Sequence, residues 1–189
     1  AADLTRQLLA YAGKSCFLTA ELDISQAVRD IHPLLRSSVP AIVNIKLELQ
    51  DGLPPVRADR GQLHQILLNL VINAAEACGE RPAVITIRTA PRDVAGGKKQ
   101  TATPAVKPGR YVAMEVCDNG EGIDPGILPR IFEPFFTTKF AGRGLGLAAV
   151  QGIVRRHGGF LEVESSPGNG ATFRVVLPVV AAGEAMAGK

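Results

Sequence analysis

The sequence predicts an α/β two-layer sandwich, a mixed β-sheet covered on one side by helices. Three observations carry that expectation. Helical and strand periodicities alternate along most of the 189 residues, and the last strands pair as hairpins. One long helix, Asp59 to Gly79, is apolar on most of its surface and carries a single polar line. Many of the 20 glycines cluster after position 118.

Residues Ala1 to about Lys14 read as a helix, with Leu4, Leu8 and Leu9 along one side. It has no capping residue, as expected for the tail of a longer helix. Phe17 to Asp23 reads as a strand, and Asp23 or Ser25 then caps a helix through Leu35. Val43 to Leu49 alternates as a strand, and Asp51 to Pro55 turns the chain into the striped helix.

Asp59 with Gln62 three residues later signals a helix start, and Gly79 signals its stop. Leu63, Ile66, Leu67, Leu70, Val71, Ala74 and Ala77 follow the helical period. Gln62, Gln65, Asn69, Asn73 and Glu76 step by three or four and form the polar stripe. Asparagine competes with helical hydrogen bonding, so two of them one turn apart call for a reason.

Ala83 to Thr89 and Tyr111 to Val116 are the next strands, joined by a long hairpin loop from about Pro91 to Gly109. Its Gly96-Gly97-Lys98-Lys99 run is expected to be solvated. A helix from Leu145 to Arg156 stops at His157-Gly158-Gly159. Strands Phe160 to Glu164 and Ala171 to Leu177 close the domain, and Val180 to Lys189 is an Ala/Gly-rich tail.

Composition narrows the function classes. A hydrophobic fraction of 46% with 21% charged residues is that of a globular domain. No apolar run approaches the roughly 18 residues of a membrane span. A net charge of +3, scattered along the chain, gives no argument for nucleic acid. Cys16, Cys78 and Cys117 have no metal-ligand spacing and are expected as reduced thiols.

Four segments carry the chemistry. Asp118-Asn119-Gly120-Glu121-Gly122-Ile123 follows a strand; its glycines admit a flat ligand and its carboxylate can accept from an exocyclic amine. Gly142-Arg143-Gly144-Leu145-Gly146-Leu147 opens a helix, where unpaired N–H groups and the helix dipole attract anions. Its spacing fits neither a P-loop nor a dinucleotide-binding glycine fingerprint. Gly168-Asn169-Gly170-Ala171-Thr172-Phe173 brings a hydroxyl, with a plain hairpin turn as the alternative. Between the first two lies Phe132-Glu133-Pro134-Phe135-Phe136-Thr137-Thr138-Lys139-Phe140, a Phe-anchored lid or a small satellite core, with Lys139 and Arg143 in place to meet phosphate oxygens.

The order of these segments is more specific than any one of them. An Asn-x-x-x-Asn helix, then D-N-G-E-G-I, F-E-P-F-F-T-T-K, G-R-G-L-G-L and G-N-G-A-T-F, resembles the sequence boxes of the GHKL (Bergerat) ATP-binding fold. That superfamily holds sensor histidine kinases, DNA gyrase, MutL and the large heat-shock chaperones. The wording looks most like the catalytic domain of a bacterial two-component sensor histidine kinase with a short lid. The resemblance covers about Ser15 to Pro178. It implies a catalytic domain over 15–179, the end of a dimerisation and histidine-phosphotransfer helix over 1–14, and a tail or linker over 180–189.

Carried over by residue, the resemblance makes Asp118 the adenine-amine acceptor, with Gly120, Gly122 and Ile123 around the base. Asn73 would bind Mg²⁺ and Asn69 would face the phosphates one turn away. Gly142, Gly144, Leu145, Gly146 and Leu147 would form the phosphate-facing hinge of the lid. Phe132 would line the site and Thr172 would buttress its adenine end. Asn69, Lys139 and Arg143 are the catalytic candidates, and ATP with Mg²⁺ the cofactors.

Hydrolytic members of this superfamily generally carry a general-base glutamate four residues before the metal asparagine; Asn69 stands there instead, and an amide takes no proton near neutral pH. The resemblance therefore implies phosphoryl transfer to a protein histidine. A hydrolytic ATPase and a non-catalytic partner-binding module are the alternatives. None of His32, His64 and His157 sits in a phosphoacceptor motif, so the three are expected to be structural, His157 suiting a helix end electrostatically. The implied partners are the phosphotransfer domain of the same kinase and a downstream receiver domain of a response regulator. No nucleic acid contact and no membrane contact by this segment are expected. The expected location is cytoplasmic, with a membrane-anchored parent left open, and a monomeric domain of a homodimeric parent is expected.

Overall fold

The computed structural model describes residues 18–95, 107–138 and 144–180. The expected helix over 1–14, Cys16, the Gly96–Lys99 run, Lys139, Phe140, Gly142, Arg143 and the tail from 181 lie outside the described residues.

Ten regular elements follow in chain order: β1 (Ala20–Leu22), α1 (Ile24–Ser37), β2 (Val43–Leu49), β3 (Val56–Ala58), α2 (Arg60–Cys78), β4 (Ala83–Val94), β5 (Gly109–Asp118), α3 (Gly146–Arg156), β6 (Phe160–Ser165) and β7 (Ala171–Pro178), with a single 3₁₀ turn at Leu128–Arg130. The main sheet has the order β2-β4-β5-β7-β6. β2 and β4 run parallel and every other neighbouring pair is antiparallel, so the sheet is mixed. β1 and β3 form a separate two-stranded ribbon.

Strand alternation sorts the two faces. Ile85 and Ile87 on β4, Met114 and Val116 on β5, and Phe173 and Val175 on β7 point to one side. There they join the buried stripes of α1 (Ile24, Ala27, Val28, Ile31, Leu35), α2 and α3 in one core. All three helices therefore lie on the same side, as expected from the sequence. The opposite face carries charge: Lys46 and Arg88 pair with Glu48, while Arg174 pairs with Glu115, Glu162 and Glu164, and Arg92 pairs with Glu162. A small apolar patch, in which Tyr111 meets Phe160 edge-on at 5.7 Å, shares that face.

Local chemistry sets the boundaries. Asp23, not Ser25, caps α1 by accepting from the Gln26 amide at 3.1 Å. Ser25 is buried instead, its hydroxyl 2.7 Å from both the Gln50 carbonyl oxygen and Thr89 Oγ1. Asp59 caps α2 by accepting from the Gln62 amide at 3.0 Å. The loop expected from Pro91 begins later, because β4 continues antiparallel to β5 as far as Val94. β2 pairs with β4 only up to Thr89, so beyond that point β4 is an edge strand and tolerates Pro91.

Candidate nucleotide site

The site starts on α2. Asn69 and Asn73 are half-buried and look toward the beginning of α3. A Cβ placed on Gly146 would lie 3.8 Å from Asn73 Nδ2 and 3.9 Å from the Asn69 amide. Asn69 Nδ2 donates to the Gly146 carbonyl oxygen at 3.4 Å. The first turn of α3 receives no side-chain cap, so its N–H groups are directed outward beside the two amides. The first member of the stripe behaves differently from the expectation of a wet edge: Gln62 is buried, and its Oε1 has no hydrogen-bond partner among the described residues.

The far end of α3 is held as well. His157 Nε2 accepts from the Asp59 backbone amide at 3.0 Å, which leaves Nδ1 as the protonated nitrogen, donating to the Ile153 carbonyl at 2.8 Å. The imidazole thus clamps the C-terminus of α3 to the N-terminus of α2. It is structural, as expected, but through hydrogen bonds of a neutral ring and not through charge at a helix end.

The second wall is built at the end of β5. Asp118 Oδ1 accepts from the Gly120 amide at 2.8 Å and the Ala171 amide at 3.2 Å, so two N–H groups orient the carboxylate. Gly120 presses on α2, where a Cβ would come within 2.7 Å of the Ala77 carbonyl oxygen; Glu121 N–H bonds that same oxygen at 3.0 Å. A Cβ on Gly122 would meet the Ser166 carbonyl oxygen at 2.1 Å, and one on Gly170 would meet the Asp118 carbonyl oxygen at 2.0 Å. Gly170 also sits at φ +71°, where a side chain would be strained. The turns after β5 and β6 are therefore interlocked backbone to backbone.

Between the walls lies the Phe-rich segment. Ile131 is buried, and Phe132 and Phe136 pack partly buried on the main core. Arg130 stacks its guanidinium 4.4 Å from the Phe136 ring centre. Phe135 is 71% exposed and adopts φ +68°, the single non-glycine residue with positive φ among the described residues. Its amide donates to the Gly144 carbonyl at 2.8 Å, and a Cβ on Gly144 would sit 2.4 Å from the Phe135 carbonyl carbon. That contact joins the two ends of the expected lid at its base.

The structure brings Asn69 and Asn73 to Gly146 at the start of α3, and sets Asp118, Gly120 and Gly122 in the turns against the end of α2 and the β6–β7 turn. It seats Gly144 on Phe135 and Phe136, while Ile123, Phe132 and Leu147 pack partly buried on the core. It does not bring Thr172 to the Asp118 side. Thr172 pairs with Cys117, one residue out of phase with Val116 and Phe173, and so faces the charged side of the sheet. Ala171 occupies the position on the Asp118 side. The alternation Ala171, Phe173, Val175, Leu177 already held that information. Two residues with clear roles were missed from the sequence: Asn119, whose Oδ1 accepts from the Val84 amide at 3.0 Å, and Ser165 at the end of β6.

The donor set suits a magnesium–nucleotide complex. Among the described residues no three His, Cys, Asp or Glu side chains gather as a metal cage. A hard ion with phosphate oxygens for most of its ligands needs one neutral oxygen from the protein, and the Asn73 amide lies beside the uncapped helix start that suits phosphate.

A mixed sheet with helices on one face, a half-buried amide pair opposite a glycine-opened helix, and an aspartate at a strand end define the GHKL ATP-binding fold. The family model for histidine kinase-, DNA gyrase B-, and HSP90-like ATPases matches residues 58–181, and the chain belongs to that family. Its relatives are sensor kinases. It is 39% identical over 180 residues to the sensor kinase CckA of Brucella abortus (strain 2308), covering 94% of this chain and 19% of the relative. It is 38% identical over 165 residues to the sensory histidine kinase/phosphatase NtrB of Rhizobium meliloti (strain 1021), covering 83% of this chain and 41% of the relative. The chain thus spans between about a fifth and two fifths of the length of these curated relatives.

Solved structures agree. Full-length ShkA in complex with AMPPNP superposes with a TM-score of 0.74 at 29% identity, over 95% of this chain and 36% of that one. The nucleotide-free catalytic domain of histidine kinase ThkA superposes at 0.67 and 29% identity, over 86% of this chain and 98% of that one. The domain is therefore an ATP-binding catalytic domain of the histidine kinase type. No described helix is long and apolar enough to cross a membrane.

Proposed function

We propose that this domain binds Mg-ATP and donates the γ-phosphate to a histidine on a separate dimerisation and phosphotransfer domain, as one step of two-component signalling. The observation that carries the reading is Asn69. It faces the start of α3, at the place where hydrolytic relatives are expected to carry a glutamate, and its amide is held on the Gly146 carbonyl. Neither the Asn69 nor the Gln65 amide can take a proton from water at neutral pH.

Asp118 orients the base through its exocyclic amine, and Gly120 and Gly122 let the backbone close on the ring. Asn73 would hold Mg²⁺, which when bound neutralises the phosphate oxygens. The uncapped N–H groups of α3 meet the phosphates, with Lys139 and Arg143 as further donors. The contribution of the chain is placement and charge compensation.

The acceptor comes from outside. His157 has both ring nitrogens engaged, and His64 Nε2 is enclosed with no hydrogen-bond partner among the described residues. His32 lies within α1, one residue before Pro33. The reading includes a cytoplasmic setting, a homodimeric parent joined through the phosphotransfer domain, a monomeric isolated domain, and a receiver domain as the next phosphate acceptor. Support for such a partner comes from ThkA, solved in complex with the response regulator protein TrrA and superposing on this chain at a TM-score of 0.70 and 25% identity.

The deciding experiment mixes this domain with a cognate phosphotransfer domain and ATP. Acid-labile phosphate on the partner histidine, with none on this chain alone, is expected. Sustained phosphate release without the partner would replace the kinase reading with a hydrolytic one.

A further inference from the structure

One hydroxyl spans the two interlocked turns. Ser165 Oγ accepts from the Ile123 amide at 2.9 Å and donates to the Gly170 carbonyl at 2.7 Å. The Gly170 carbonyl and the Ala171 amide belong to one peptide unit, and that amide donates to Asp118 Oδ1 at 3.2 Å. The result is a continuous relay from Ile123 N–H through Ser165 O–H and the 170–171 peptide to the Asp118 carboxylate. A hydrogen bond at the carbonyl of a peptide strengthens its N–H as a donor.

We infer that Ser165 is a positioning residue for the nucleotide base: it sets the orientation of Asp118 and the spacing of the two glycine turns without touching the ligand. The inference rests on the nucleotide reading of this site. The neighbouring geometry leaves the relay no slack. Gly122 and Gly170 meet the opposing backbone so closely that a Cβ would fall 2.1 and 2.0 Å from a carbonyl oxygen. A third tie, Gly168 N–H to the Glu121 carbonyl at 2.7 Å, closes the same junction from the other side.

Only a group that accepts and donates at once can hold both Ile123 and Gly170. Alanine provides neither function, a thiol provides both weakly, and threonine provides both.

The test measures ADP affinity by calorimetry and the ATP dependence of phosphate transfer to a phosphotransfer domain. Ser165→Ala is expected to raise Kd for ADP and KM for ATP by about tenfold, the loss of a typical pair of neutral hydrogen bonds, with kcat at saturating ATP within about twofold. Ser165→Thr should recover parent affinity and Ser165→Cys should fall between. A folded Ser165→Ala that binds ADP like the parent overturns the inference. So does a Ser165→Thr that is folded yet as weak as the alanine form, or a fall in kcat with KM unchanged. If Ser165→Ala does not fold, Ser165→Cys decides, and parent-like affinity there is the overturning result. A parent protein that binds no ADP would instead sink the nucleotide reading itself.

Discussion

Asn69 Nδ2 reaches the carbonyl oxygen of Gly146 at 3.4 Å, tying the middle of α2 to the first residue of α3. The contact fixes that amide, and Asn73, one helical turn further on, faces the same helix start. Asn73→Ala should remove the metal ligand without disturbing the core, since the side chain is only half-buried. Calorimetry with ADP and Mg²⁺ should show affinity reduced by about a hundredfold or more, with the urea unfolding midpoint close to that of the parent. Retained Mg-dependent binding would place the site elsewhere.

Asp118→Asn keeps shape but replaces a carboxylate whose Oδ1 serves two backbone amides. The loss of charge-assisted acceptance should cost about 1.5–3 kcal/mol of adenine-nucleotide affinity. Because an amide can present the opposite pattern to a purine ring, titration with GDP beside ADP checks the assignment: the preference for adenine should shrink. Unchanged discrimination would remove Asp118 from the base-reading role.

Gly170→Ala combines a left-handed φ with a Cβ 2.0 Å from the Asp118 carbonyl oxygen, and the obstruction is backbone. Destabilisation of about 3 kcal/mol or more is expected by chemical denaturation. At Gly152, where a Cβ has nothing within 4 Å, alanine inside α3 should stabilise slightly. Equal effects at the two positions would contradict the interlocked-turn geometry.

His64 gives a pH dependence of definite sign. Burial, helped by the Arg60 charge and opposed by Asp30, holds its imidazole below the ordinary value of 6.5. The unfolded chain therefore takes up this proton before the folded one does. His64 costs no stability above about pH 6.5, erodes it as pH falls from there toward the folded pKa, and adds no further loss below that. The denaturation midpoint of His64→Leu should fall less than that of the parent between pH 8 and 5, so the parent-minus-variant difference should drop as pH falls. An unchanged slope would show that another group titrates there.

Much of this architecture was readable in the residues because the signals were local. Asp59 and Gly79 bracket α2 almost to the residue, and Leu63 to Ala77 state its packing face. The glycine segments could be placed by order alone. Non-local contacts could not be read: Ser165 serves Ile123, 42 positions away, and His157 serves Asp59, 98 positions away. β3 escaped because three residues carry no usable period, and it exists through its pairing with β1. Pro91–Val94 escaped because proline reads as a breaker until the partner strand on one side is known to have ended. Thr172 was misplaced for a different reason: a motif match was followed where strand alternation pointed the other way.

The helix-free face of the sheet bears on encounter kinetics. Its linked groups, Lys46, Arg88, Arg92 and Arg174 against Glu48, Glu115, Glu162 and Glu164, are four cations and four anions that cancel at short range. Lys46 and Arg88 hold the Glu48 carboxyl at about 2, so this carboxylate keeps its charge well into acid. A self-compensated surface projects little field beyond one Debye length and neither attracts nor repels a charged macromolecule from a distance. Association through this face would therefore vary little with ionic strength.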